Sequence, residues 1–108
     1  MPKYLIQGSY TAGGLQGLKK DTAAGRRAAV QAAVKALGGK LESFHFSFGE
    51  DDVVLIVDLP DNVAAAAIAT TASGSGTVRL HTTPLLTVDE ADKALAAEVK
   101  YRPAGAGK

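Results

Sequence analysis

Two histidines, His45 and His81, are the only imidazoles in the sequence, and an imidazole can transfer protons or bind a metal near neutral pH. The chain contains no cysteine, which excludes a disulfide framework, a thiolate-bound metal and a cysteine nucleophile. No acid or second histidine stands at a ligand spacing from either histidine, and a metal site needs three or four ligands. The sequence therefore predicts no metal site.

Three further polar residues share a strand face with these imidazoles. Alternation along a first strand groups Gln7 and Ser9, and alternation along a later strand groups Arg79 with His81. A few convergent polar groups on an apolar wall are typical of a pocket for a small organic molecule. An alternative is that Arg79 forms a salt bridge with an acid of a second chain. The predicted ligand-binding residues are Gln7, Ser9, His45, Arg79 and His81.

Periodicity and turn residues predict the elements that position these side chains. Strands are expected at 3–10, 40–48, 53–59 and 77–83, with Phe44, Phe46 and Phe48 on one face of the second and Pro84 ending the fourth. Helices are expected at 22–37, 63–72 and 88–99, after a short helical turn near residues 15–18. Thr22 and Thr87 are the expected N-caps. Residues 1–101 then form one domain, followed by a flexible tail at 102–108.

The order of these elements predicts an α+β fold of the split βαβ type, βαββαβ plus a C-terminal helix. Its four-stranded antiparallel sheet has the strand order 4-1-3-2, with both crossover helices on one face. The strands of His45 and His81 are then opposite edges. Three strand spacings of about 4.8 Å separate them by about 14 Å, too far for one chain to chelate one metal with both.

The other face of this sheet needs a cover, because residues 53–57 are apolar on both sides of their strand. Apolar surface left in water forgoes about 25 cal/mol per Å². Either the C-terminal helix folds across that face, or the sheet of a second copy packs against it. We predict the second arrangement, a homodimer, with higher oligomers as an extension.

Charge and hydropathy exclude several other partners. The formal net charge is only +1, with basic residues concentrated in 1–40 and acidic residues in 41–62, a distribution suited to contacts between copies of the chain. The sequence predicts a cytoplasmic protein that binds neither nucleic acid nor membranes. No cofactor is predicted either. A phosphate-loop spacing begins at Gly8 and Gly13, but Gly14 and Leu15 occupy the places of its lysine and hydroxyl.

Four stretches, YLIQGSYT, GEDDVVLIVDLPDN, RLHTTPLLT and the late YRP, resemble the GYD-domain family of small bacterial proteins. Gly49, Glu50 and Asp52 match the family's turn motif, whereas Asp51 stands where the family has tyrosine. The resemblance implies a ferredoxin-like fold of the dimeric α/β barrel type. It implies no specific biochemical role.

Three functions remain open at this stage. The first is a homo-oligomeric binding or assembly module with a small-ligand pocket between facing sheets. The second is a small cofactor-independent oxygenase or isomerase that uses His81 or His45 for proton transfer, by analogy of fold alone. The third is a purely structural self-assembling protein. The acids at 50–52 are expected at an exposed turn, where no burial separates their pKa values for acid–base catalysis.

Overall fold

A computed structural model describes residues 1–106 of the chain. The elements are β1 (Lys3–Tyr10), α1 (Ala12–Ala36), β2 (Lys40–Phe46), β3 (Val53–Asp58), α2 (Asn62–Gly74), β4 (Val78–Leu85) and α3 (Val88–Ala96). The strands form one antiparallel sheet in the order β2-β3-β1-β4, which confirms the predicted ferredoxin-like α+β fold and strand order. The last two residues of the predicted tail, 107 and 108, lie outside the described residues.

The hydrophobic core lies between α1, α2 and one face of the sheet. Strict alternation buries every second residue of β1 and β3 on that face, and small side chains let α2 lie close to it. The hydroxyl of the buried Tyr4 donates to Oδ1 of Asn62 at 2.6 Å. The buried core residues are Tyr4, Ile6, Val34, Val53, Leu55, Val57, Leu59, Ala64 and Ala65.

Helix α1 consists of two segments joined by a kink at Thr22. This residue has a φ of 68° and a ψ of 162°, and its Oγ1 accepts a hydrogen bond from the Gly25 amide at 3.2 Å. The predicted N-cap is thereby confirmed. The helical segment before Thr22 is longer than the predicted turn at 15–18, because Thr11 is the N-cap of a helix that begins at Ala12. The Gly14 amide donates to Thr11 Oγ1 at 3.1 Å. No helix formed by the described residues combines the length and the apolar character that a membrane crossing requires.

Two strand ends differ from the sequence prediction. Strand β2 ends at Phe46, because Phe48 takes a positive φ of 50° and points its ring into solvent, stacked on Phe46. Strand β4 continues through Pro84 to Leu85. Proline has no amide hydrogen to donate, but β4 is an edge strand that pairs only with β1, so no second strand is deprived of a hydrogen bond.

Helix α3 begins at the predicted cap and ends three residues before the predicted boundary. Thr87 and Glu90 form a reciprocal capping box. None of the helix residues is buried, so α3 does not fold across the sheet of its own chain. The face of the sheet opposite α1 and α2, called the open face below, is therefore not covered by α3, and residues 97–105 after it are exposed as well.

Candidate ligand site on the open sheet face

A transverse row of side chains crosses the open face through all four strands. His45 on β2 pairs with Val54 on β3, Val54 pairs with Gln7 on β1, and Gln7 pairs with His81 on β4. The register thus aligns three of the five predicted site residues at one level. The two histidines occupy the ends of the row, three strand spacings or about 14 Å apart, as their places on opposite edges require.

The other two predicted site residues lie one level further along the same face. Ser9 pairs with Arg79 across β1 and β4, next to Gln7 and His81 in the row. The Arg79 side chain is exposed and forms no salt bridge within residues 1–106. Four of the five residues are therefore close neighbours on β1 and β4, and His45 is the distant one.

Asp51 joins this group, which sequence reasoning did not predict. Its Oδ1 lies 3.9 Å from Nε2 of His81 and accepts a hydrogen bond from Ser9 Oγ at 3.4 Å. The Asp51 side chain is 24% exposed and Asp52 is also partly buried, so the expectation that the acids at 50–52 are all exposed holds for Glu50 and is wrong for the other two. The place of the turn in the predicted sheet could have indicated this. The turn leads directly into β3, which pairs with β1, so it lies beside the end of β1.

Backbone hydrogen bonds fix the turn that presents Asp51. The Asp52 amide donates to the Gly8 carbonyl at 2.7 Å, and Asp52 Oδ2 accepts from the Tyr10 amide at 2.9 Å. The Asp51 carbonyl accepts from Ser47 Oγ at 2.6 Å and from the Gly49 amide at 3.0 Å. The turn is therefore fastened to β1 on one side and closed internally on the other. Asp52, a residue of the family's turn motif, has a structural role in this arrangement.

Apolar side chains surround the polar row. Leu5, Val54 and Ile56 lie on the open face and are only partly buried in the single chain. Beyond them, Lys3 Nζ donates to Asp58 Oδ1 at 2.8 Å and to Glu42 Oε1 at 2.9 Å. Hydrogen bonds to Asp58 and then Glu42 raise the pKa of Lys3, so this end of the face is internally paired. At the Ser9 end, by contrast, the side chains of Gln7 and Arg79 form no hydrogen bond or salt bridge within residues 1–106.

The described residues contain no group of three or more His, Asp and Glu side chains arranged to hold a metal ion. What the cluster at the Ser9 end can do is accept and donate hydrogen bonds and offer one free guanidinium. His81, with a carboxylate beside its ring, is also placed to exchange a proton with a bound molecule. His45 forms no salt bridge within residues 1–106.

Comparison with protein families identifies the chain. The model of a protein family described as the GYD domain matches residues 4–95. A search of the curated proteins finds no match. The match includes β1 from its second residue, the other three strands, the turn at 49–52 and all of α3 except its last residue. The chain therefore belongs to the GYD domain family, as the resemblance of its turn and strand ends implied.

Proposed function

We propose that the chain is a homodimeric binding module whose open faces meet and enclose a pocket for a small organic acid. The observation that supports this proposal is the composition of the open face. Half-buried Leu5, Val54 and Ile56 lie beside Gln7 and Arg79, whose side chains have no partner within residues 1–106, and beside His81.

The apolar part of the face supports the dimer. Val54 and Ile56 are only half-buried on one side of a central strand, where neither crossover helix of the same chain can cover them. A second copy related by a twofold axis presents the same side chains in return, so a single patch is self-complementary. Packing of two such faces excludes water from both at once.

The polar part of the face supports the ligand class. A guanidinium without an internal partner binds a carboxylate through two parallel hydrogen bonds. Gln7 and His81 are adjacent to Arg79 and supply further donors and acceptors for the rest of the molecule. Asp51 disfavours a second acidic group at its end of the pocket, because like charges repel there. The ligand is therefore a monocarboxylic acid with a polar substituent.

Sedimentation of wild type and an Ile56→Asp variant tests the dimer. Burial of a carboxylate without a partner is strongly unfavourable, so the dissociation constant of the dimer should rise at least about a hundredfold. Val63→Asp is the matched control, because Val63 is 77% exposed on α2, in the helix layer. A wild-type monomer, or equal effects of the two variants, would contradict the dimer.

Thermal-shift measurements with a panel of small hydroxy and amino acids, each beside its neutral amide, test the pocket. At least one acid should raise the melting temperature more than its amide does, and Arg79→Gln should weaken binding about tenfold. Arg27→Gln is the matched control, since exposed Arg27 lies on α1 behind the sheet. If no acid distinguishes the two variants, the pocket is absent and the purely structural self-assembling function remains.

A second candidate, a cofactor-independent oxygenase or isomerase, is favoured by one observation. The 3.9 Å approach of Asp51 Oδ1 to His81 Nε2 gives the imidazole an orienting carboxylate, as a general base requires. His45 has no such partner within residues 1–106. Turnover of a bound acid that is abolished in His81→Ala and retained in His45→Ala would establish this activity. Binding without turnover would leave the module as a binding protein.

A further inference from the structure

A C-terminal arm, residues 86–101, projects from the body of the chain with its apolar side chains in solvent. The longest dimension of the chain is 60 Å, against 31 and 22 Å across, and the radius of gyration is 17.4 Å. A compact domain of about 100 residues has a radius of gyration of roughly 13 Å. The large apolar side chains of the arm are 65–84% exposed, namely Leu86, Val88, Leu95, Val99 and Tyr101.

The helix of this arm cannot be maintained by its own sequence. Helix α3 has nine residues, and isolated helices shorter than about 12 residues are marginal in water even with favourable composition. The capping box satisfies its first amides but adds no buried surface. Val88, Ala91 and Leu95 fall at i, i+3 and i+7, so they form one apolar stripe along the helix. This stripe needs a surface to cover it.

The chain also contains an apolar cleft of about 600 Å³ on the opposite side of the sheet from the open face. Helices α1 and α2 form its walls, with Val30 and Ala33 on one side and Ala67 and Ile68 on the other. Side chains of the sheet, including Leu55, form its floor. The small alanines leave room between the helices, so the cleft can admit the side chains of a third helix.

The charges of the cleft and of the arm are complementary. Among residues 1–106, Arg26 is the one charged side chain that lines the cleft. Its link to Asp21 is a 3.6 Å contact between two partly exposed groups and contributes little. Asp92 borders the apolar stripe of α3, four residues after Val88, and forms no salt bridge within the described residues. Asp89 and Glu90 add further negative charge to α3, while Arg27 adds positive charge to α1.

We propose that α3 of one chain docks in the α1–α2 cleft of a second copy, with Val88, Ala91 and Leu95 in the cleft and Asp92 against Arg26. Both surfaces are present on every chain, and α3 does not reach the cleft of its own chain. A reciprocal exchange of two arms buries both pairs and closes into a twofold dimer. The inference deepens the proposed homodimer, because it gives that assembly a second contact away from the open face.

Photo-crosslinking between isotopically distinct chains tests the exchange. Chains with p-benzoylphenylalanine in place of Leu95 are refolded together with ¹⁵N-labelled wild-type chains, irradiated and digested. Mass spectrometry should find unlabelled arm peptides joined to labelled peptides of α1 or α2. The control places the same group at Lys93, on the polar side of α3, and should give several-fold less product. Crosslinks within one chain, or equal yields at the two positions, would overturn the proposal.

A charge exchange tests the predicted pair by sedimentation. Arg26→Glu should weaken the dimer about tenfold, and adding Asp92→Arg should restore most of that loss. Arg27→Glu, which changes the same charge one residue away, should be restored less by Asp92→Arg. No rescue would overturn the Asp92 contact. The two contacts of the dimer can also fail separately. If Ile56→Asp leaves the dimer intact and the interchain crosslink forms, the facing sheets are overturned and the arm exchange is retained. If Ile56→Asp disrupts the dimer and no interchain crosslink forms, the arm exchange is overturned and the facing sheets are retained.

Discussion

Nε2 of His81 lies 3.9 Å from Oδ1 of Asp51, and the two residues are brought together from β4 and from the turn before β3. The imidazole is 59% exposed and the carboxylate 24% exposed. Such a pair contributes roughly 0–1 kcal/mol to folding, because water screens the attraction and both side chains must be ordered. Its position beside Ser9 and Arg79 is therefore of more consequence for a ligand than for the fold.

A double-mutant cycle on this pair checks that view. His81→Ala, Asp51→Ala and the double variant should give a coupling free energy below about 1 kcal/mol in urea unfolding. The measurement must be made at one protein concentration, since the proposed dimer would make apparent stability depend on concentration. A coupling well above 1 kcal/mol would make the pair a structural element, and the variants would then be poor probes of binding.

Gly14 and Gly17 lie in the same segment of α1 and should respond oppositely to alanine. A Cβ on Gly14 would collide with the main-chain carbonyl of Thr77, which already accepts the Thr11 amide at 2.9 Å. We expect Gly14→Ala to destabilise the fold by about 1–3 kcal/mol, because a backbone atom cannot rotate away. A Cβ on Gly17 meets nothing within 4 Å, so Gly17→Ala should stabilise the helix by about 0.8–1 kcal/mol.

Thermal unfolding of the two glycine variants distinguishes them directly. Gly17→Ala is the matched control for helix propensity, since both substitutions add the same methyl group to the same helix. Equal shifts of the two melting temperatures in either direction would mean that α1 does not pack against the start of β4 at Gly14.

The sequence was sufficient to predict the sheet and the face of each strand. Alternation places Gln7, His45 and His81 on one face, and the order of elements alone yields β2-β3-β1-β4. It could not predict their common level, because register depends on turn geometry and on the irregularity between Leu41 and Ser43. The row therefore became visible only in three dimensions.

Local patterns failed where a contact distant in sequence decides the conformation. The sequence predicts an exposed turn for Asp51, but that turn is tied to β1 through Gly8 and Tyr10, more than forty residues earlier in the chain. Pro84 is predicted to end its strand on proline's propensity alone, although the predicted strand order already places β4 at an edge, where one hydrogen-bonded neighbour leaves room for a proline. The first error therefore concerns a long-range partner, and the second concerns a local propensity applied without the predicted strand order.

Thr82 offers a stabilising substitution on the core side of β4. Its Oγ1 is buried and has no hydrogen-bond partner among the described residues. Thr82→Val keeps the shape and removes the unsatisfied hydroxyl, so we expect unfolding free energy to rise by about 1 kcal/mol. The control is Thr70→Val on α2, where Oγ1 donates to the Ala66 carbonyl at 2.8 Å and the variant should gain nothing. Both variants are measured by chemical denaturation. A loss of stability in Thr82→Val would contradict the assignment of its hydroxyl as unsatisfied.

Glu90 should make the start of α3 sensitive to acid. The Thr87 amide donates to Glu90 Oε1 at 2.8 Å, and this backbone hydrogen bond, followed by the side-chain bond to Thr87, lowers the pKa of Glu90 from its ordinary value of 4.5. A lowered folded-state pKa means that the stabilisation is complete above pH 4.5 and is lost as the pH falls through the lower value.

Amide chemical shifts of Thr87 and Glu90, followed by NMR from neutral to acid pH, measure this loss. The Thr87 amide should move with a midpoint below 4.5 as its acceptor becomes protonated. Glu90→Gln is the matched control, because glutamine can accept the same hydrogen bond in a capping box but does not titrate, so its Thr87 shift should stay flat. A midpoint at or above 4.5, or the same titration in the glutamine variant, would show that the capping box does not hold the carboxylate. Since the arm is proposed to dock through α3, the same acid range should also loosen the dimer in wild type more than in Glu90→Gln.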